Sequence, residues 1–282
     1  MLQLKQEKGD NMEELFKRLK ELKENKYNFE KVDTLKLTYD LLDIIGHKDG
    51  EVRDGLVYPV LAHLLHDDVL SNEELDKIAN LFVTDNYLLF DMDNEVEYSV
   101  LRRSFTTLQL AILVYKHNQK QVLKDETFLY LVSQFSEYFK LEKDLRGYEE
   151  SVGWLHSIAH SADLFAQIFK NEMICENLLE SMFILIRAKF LIHHYQFVSD
   201  EDERMINAIE NAISRNVLSQ EFIKEWILGF KNYERGNDFP EAYYITFNVK
   251  KFMRSLYFRY LDKEGYGFLI EACKDVLTKA KI

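Results

Sequence analysis

The sequence predicts an all-α fold. Three observations carry that prediction: a shortage of backbone breakers, helical spacing of apolar residues along nearly the whole chain, and capping side chains between the periodic segments. Only 2 of 282 residues are proline and 10 are glycine, where average usage would give roughly 14 and roughly 20. Sandwiches and barrels need frequent tight turns, and the Gly, Pro, Asn-Gly and Asp-Gly steps that make them are scarce. With 47% hydrophobic and 30% charged residues, the chain has apolar surface for a large core and too much of it for a disordered chain.

The elements follow in order. Residues 1–11 are expected to form a disordered tail, with a single helical domain over 12–282. Leu35, Leu37, Leu41, Leu42 and Ile45 share one helical face, as do Leu56, Val60, Leu61, Leu64 and Leu65, and then Leu101, Phe105, Leu108, Ala111 and Ile112. Pro59 falls inside the second segment and predicts either a kink or a first helical turn, because it has no amide hydrogen for the helical ladder. Ser71 with Glu74 and Ser199 with Asp202 read as helix starts whose side chains satisfy orphan amides. Gly46, Gly50, Gly236 and Gly265 supply breaks. The stretch from about Gly147 to Lys170 reads as one further helix.

Similar helix starts recur at about 50-residue spacing. Asp49-Gly50-Glu51-Val52-Arg53, running on to Leu56 and Val60, resembles the second helix of a HEAT repeat. Related starts follow at Val100-Leu101-Arg102-Arg103, Val152-Gly153-Trp154, Glu203-Arg204-Met205 and Phe252-Met253-Arg254. This recurrence predicts an α-solenoid of about five HEAT- or armadillo-like helix pairs, with a compact multi-helix bundle as the alternative. In a solenoid each pair completes its neighbour's core and the second helices line a concave face.

A net charge of −12 disfavours a phosphate backbone or an anionic membrane surface as partner. The two cysteines, Cys175 and Cys273, do not make a disulfide framework. The Lys- and Glu-rich start lacks the apolar region of a secretory signal, and no apolar run approaches the roughly 20 residues of a membrane span. A cytoplasmic location is expected. There is no Gly-rich phosphate loop, no G-x-S-x-G elbow and no C-x-x-C pair.

Candidate chemistry concentrates on the predicted helix at 147–170. At 100° per residue Glu149, His156, His160, Asp163 and Gln167 form one stripe, while Trp154, Ile158, Ala162, Phe165 and Phe169 lie opposite. Two histidines at i and i+4 can share one metal ion such as zinc, with Asp163 as third ligand. The glutamate that serves as general base in H-E-x-x-H enzymes is absent. The metal-free readings are a ligand pocket and a packing network of imidazoles with Asp163 and Tyr148. Arg53, Arg103 and Arg254 facing the same groove would complete a site for an anionic group, since guanidinium binds carboxylate or phosphate bidentately. The alternative is an arginine ladder in which Arg53 bridges to Asp49 or Asp54.

Arg146-Gly147-Tyr148 with Gly153-Trp154-x-His156-x-x-x-His160-x-Ala162-Asp163 resembles a bacterial family of uncharacterised proteins, domain of unknown function 2785. Leu-Arg-Arg-Ser-Phe at 101–105, Glu-Asp-Glu-Arg at 201–204 and Phe-Met-Arg-Ser-Leu at 252–256 extend the likeness. The resemblance implies a bacterial, cytoplasmic, all-helical protein and transfers no catalytic role. The functional expectation is a binding module that holds a peptide, a protein or a small anionic ligand in a polar concave groove. That groove would centre on His156, His160 and Asp163, with Tyr148, Trp154 and Gln167 beside them and no cofactor. The alternative is an enzyme, a metal-assisted hydrolase using the same three residues.

Overall fold

The computed structural model describes residues 2–235 and 238–280, with side chains from residue 12 onward. Gly236, expected as a break, lies outside the described residues. The chain is helical almost throughout and divides into two compact units, Met1–Leu131 with Tyr148–Ser157, and Val132–Gly147 with Ile158–Ile282. No helix among the described residues is long and apolar enough to cross a membrane.

Unit 1 opens with α1 (Leu2–Glu24), whose backbone begins within the segment expected as a tail. There follow α2 (Thr34–Asp43), the single turn α3 (Gly50–Val52), a π-helical segment (Arg53–Val57), α4 (Tyr58–His66), α5 (Asn72–Phe82), α6 (Ser99–Lys120) and the start of α7 (Asp125–Leu141). Most of the apolar positions read from sequence are buried, Leu37, Leu41, Leu61, Leu64, Leu101 and Phe105 among them, while Leu35, Leu108 and Ile112 are half-buried. Gly46 separates α2 from α3, and a side chain there would collide with the backbone of Arg102. Ser71 caps α5 in a reciprocal box with Glu74.

Pro59 occupies the first turn of α4, directly after the π-helical segment. It cannot donate to the carbonyl of Gly55 as an α-helical residue would. The Lys23 ammonium of α1 donates to that carbonyl instead, at 3.0 Å.

Unit 2 contains α8 (Ser157–Ile168, its first residue in unit 1), α9 (Glu176–Phe190), α10 (Glu201–Ser214), α11 (Gln220–Leu228), a 3-10 turn (Gly229–Lys231), α12 (Glu241–Tyr260) and α13 (Gly267–Lys279). Its core is aromatic. Phe165 meets Phe135 and Phe139 at ring-centre distances of 4.7 and 4.9 Å. Trp226 packs on Phe183 at 4.9 Å and donates its indole N–H to the Phe183 carbonyl at 2.6 Å. Gly265 turns the chain between α12 and α13 at φ +87°.

Two expected helix starts fall elsewhere. The residue preceding α10 is Asp200, at φ +69° and without a side-chain cap, rather than Ser199. Ser199 instead donates its amide to the Glu201 carboxylate at 2.7 Å, and it lies so close to Gly147 that any side chain at 147 would overlap it. Residues 252–254 are the interior of α12, where Phe252 and Met253 are core residues, and no start occurs there.

Within each unit, hydrogen bonds between elements join residues about one recurrence apart. In unit 1 Gln109 donates to the Tyr58 carbonyl, 51 positions away, and Lys116 to the Asp67 carbonyl, 49 away. In unit 2 the Phe197 amide donates to Asn248, 51 away, and Ser255 to Asp202, 53 away.

Candidate functional site

The segment expected to open the distinctive helix is a β-hairpin. Strands β1 (Tyr148–Glu149) and β2 (Gly153–Trp154) pair antiparallel, Tyr148 opposite Trp154. Gly153 at φ +79° and His156 at φ +53° are left-handed, and α8 begins only at Ser157. The reason lies a hundred residues upstream. Arg53, sealed from solvent, donates through Nη2 to the carbonyls of Val152 at 2.9 Å and Trp154 at 3.2 Å. The Ser104 hydroxyl donates to the Leu155 carbonyl. These carbonyls would have accepted the amides of residues 156, 158 and 159 had the helix extended back to 147. Side chains take them instead, so the helical period of the sequence is overridden by tertiary hydrogen bonding.

His156 is therefore not one turn before His160 on a common helix. It sits beneath Trp154, ring planes 4° apart and centres 4.3 Å apart, and Tyr148 meets the other ring of the pair edge-on at 4.8 Å. Trp154 was expected on the packed face, yet it is 45% exposed, and Tyr148 is 55% exposed. The hairpin is further fixed by Glu149, which accepts from the Tyr98 hydroxyl at 2.6 Å and from Ser151 at 3.1 Å. Lys48 lies 5.2 Å above the Tyr98 ring.

Arg53 bonds also to the carbonyls of His47 and Lys48 and to the Asp54 carboxylate at 2.9 Å, with Phe105 against its guanidinium at 4.7 Å. Burial pushes its pKa down, opposed by Asp54; burial likewise raises Asp54, opposed by Arg53. Arg103 is just as buried and clips together the 90–99 loop through the carbonyls of Phe90 and Asp91 and the side chains of Ser99 and Asn94. Both arginines brace backbone within unit 1.

His160, Asp163 and Gln167 belong to unit 2. His160 is buried and does not form part of a displayed stripe. Asp163 pairs with Arg204 at 2.8 Å; burial raises its pKa, Arg204 opposes that rise, and the charge of Asp200 adds to it. Gln167 is half-buried. Among the described residues no group of three or more His, Cys, Asp and Glu is arranged to hold a metal ion.

Arg254 lies on α12 and lines a cleft of about 500 Å³ with Lys250, Lys251, Phe247 and Ser255 and with Asp200, Asp202 and Glu203. Asp202, buried, accepts from Ser255 at 2.7 Å and pairs with Lys251 at 2.9 Å. Lys250 was missed from sequence, although the spacing of Phe247, Lys250, Lys251, Arg254 and Ser255 puts all five on one helical face. His63 was likewise missed beside the adjacent His66-Asp67 pair: both imidazoles lie 3.0 Å from the Asp67 carboxylate, with Tyr27 stacked on His63 at 3.8 Å.

These features define an all-helical protein that displays an aromatic hairpin on a buried arginine mount. The chain belongs to the family described as Protein of unknown function (DUF2785), which it matches over residues 88–258, more than half its length. The match takes in the hairpin, α8, α10 and nearly all of α12, and leaves Arg53 outside. No curated protein and no solved structure matches the chain.

Proposed function

We propose that this protein is a helical-repeat binding module and that its contact surface is the Tyr148–Trp154–His156 platform of unit 1, taking a peptide or protein segment. The observation that carries this reading is a half-exposed tryptophan held rigidly. Large exposed aromatics cost solvation, and Trp and Tyr on a preorganised mount dominate binding energetics at interfaces because little side-chain freedom remains to be lost. Arg53 and Ser104 fix the backbone on both sides of Trp154, and Tyr98 holds the Glu149 side chain on the facing strand. An apolar side chain laid across Trp154 and Tyr148 is the complementary contact.

The repeat part of the proposal rests on nearest-neighbour bonding. Inter-element hydrogen bonds at separations of 47 to 53 positions recur in both units, as expected when each helix pair completes the next.

The chain has two tryptophans, and Trp226 is buried. Trp226→Phe thus leaves Trp154 as the reporter, with ¹⁹F-tryptophan NMR on the wild type where that variant is too unstable. Peptides selected from a random display library should blue-shift Trp154 emission and bind at least tenfold more weakly to Trp154→Ala. Selected peptides that bind Trp154→Ala with undiminished affinity would overturn the platform as the site.

A further inference from the structure

The cleft on α10 and α12 of unit 2 stands independently of the hairpin. Along α12 the core face is Ile245, Val249, Phe252, Met253 and Leu256, which turns Phe247, Lys250, Lys251 and Arg254 together toward the cleft. The charges lining it are unevenly matched. Asp202 is taken by Lys251, and Glu203 by Arg259 at 3.1 Å. Lys250 and Arg254, one helical turn apart, form no ion pair among the described residues. Burial, and then the like charges of Arg254 and Arg235, push the Lys250 pKa down.

Like charges at i and i+4 destabilise a helix. The cost is conspicuous in a chain with 48 acidic against 36 basic side chains, where a neutralising carboxylate is the commoner neighbour. One lining carboxylate, Asp200, is also without an ion pair among the described residues, and it sets one negative charge against the two positive charges of Lys250 and Arg254.

We propose that this cleft binds a phosphate monoester, its phosphate between Lys250 and Arg254 and its organic part against Phe247 and Phe197. The guanidinium offers a planar fork to two phosphate oxygens and the ammonium a point charge to a third. A carboxylate has only two oxygens and one charge for the same cations. The volume of about 500 Å³ exceeds what a free phosphate ion fills and falls in the range of small-molecule sites. The Lys251–Asp202–Ser255 network fixes the neighbouring turn of α12 without engaging Lys250 or Arg254.

The test uses the full-length chain with inorganic phosphate, phenyl phosphate and benzoate at constant ionic strength. Phenyl phosphate should raise the wild-type melting temperature and broaden in ³¹P NMR at concentrations at least tenfold below those inorganic phosphate requires, while benzoate does neither. Lys250→Met with Arg254→Gln should abolish both effects; if that pair fails to fold, Lys250→Met alone should weaken phenyl phosphate at least fivefold by ³¹P line broadening. Equal responses to benzoate and phenyl phosphate would overturn the proposal, as would an undiminished response in the folded variants.

Discussion

The hairpin of unit 1 and helix α8 of unit 2 are consecutive in sequence, carry the same helical periodicity and adopt different structures. Along α8 the backbone carbonyls are served mainly by the helix itself, with Asn211 adding a donor to that of Ala166 in its last turn, and Phe165 closes an aromatic cluster with Phe135 and Phe139. In the hairpin the carbonyls of 152, 154 and 155 are served by Arg53 and Ser104. Periodicity records which side chains face a core. It does not record whether a distant donor will claim the backbone.

The largest expected effects break this comparison directly. Phe165→Ala should cost about 3–5 kcal/mol by opening a cavity in the aromatic core. Arg53→Met should cost a similar amount, about 3–5 kcal/mol, by leaving buried carbonyls and Asp54 without their donor. Urea unfolding measures both. Only Arg53→Met should also disturb Trp154 emission under native conditions, and Arg53→Lys should restore little, because one ammonium cannot serve carbonyls on both sides of a guanidinium. Equal loss of the Trp154 signal in both variants would mean the hairpin is held by general packing.

A smaller change, about 1 kcal/mol, is expected for Ser71→Ala, which removes one half of the α5 capping box and touches neither region. At neutral pH the least effect concerns Lys189, whose ammonium donates to the carbonyls of Lys140 and Glu142. Burial brings its pKa down to about 8 from 10.5, Glu142 opposing. Between those values the unfolded chain holds the extra proton, so this group's contribution to stability rises with pH across that window and is flat below it. Denaturation at pH 7, 8.5 and 10 should show that rise in the wild type and lose it in Lys189→Met.

Much of the fold was legible because it rests on local chemistry. Helical faces, the Ser71 box and the placement of Pro59 each depend on residues within a turn or two of one another. The missed features depend on distance. Nothing near Trp154 announces Arg53, a hundred positions earlier, and nothing near Ser199 announces that it packs against Gly147 instead of capping α10. Of the candidate site, Tyr148, Trp154 and His156 do meet, although through stacking on a hairpin rather than along a helix. His160 and Asp163 sit in the other unit, Asp163 already engaged by Arg204. Lys250 went unread because what marks it is the lack, among the described residues, of a carboxylate partner, and a missing partner leaves no mark in a linear pattern.

The proline of α4 offers a last point. Its absent proton leaves the Gly55 carbonyl open, and Lys23 occupies it. A local defect thereby becomes an anchor for a helix 30 residues earlier, and the two substitutions that remove it should not act independently. Once Pro59→Ala supplies an amide of its own, Lys23→Ala has less left to take away; α1 is held in place partly by something its neighbour cannot do.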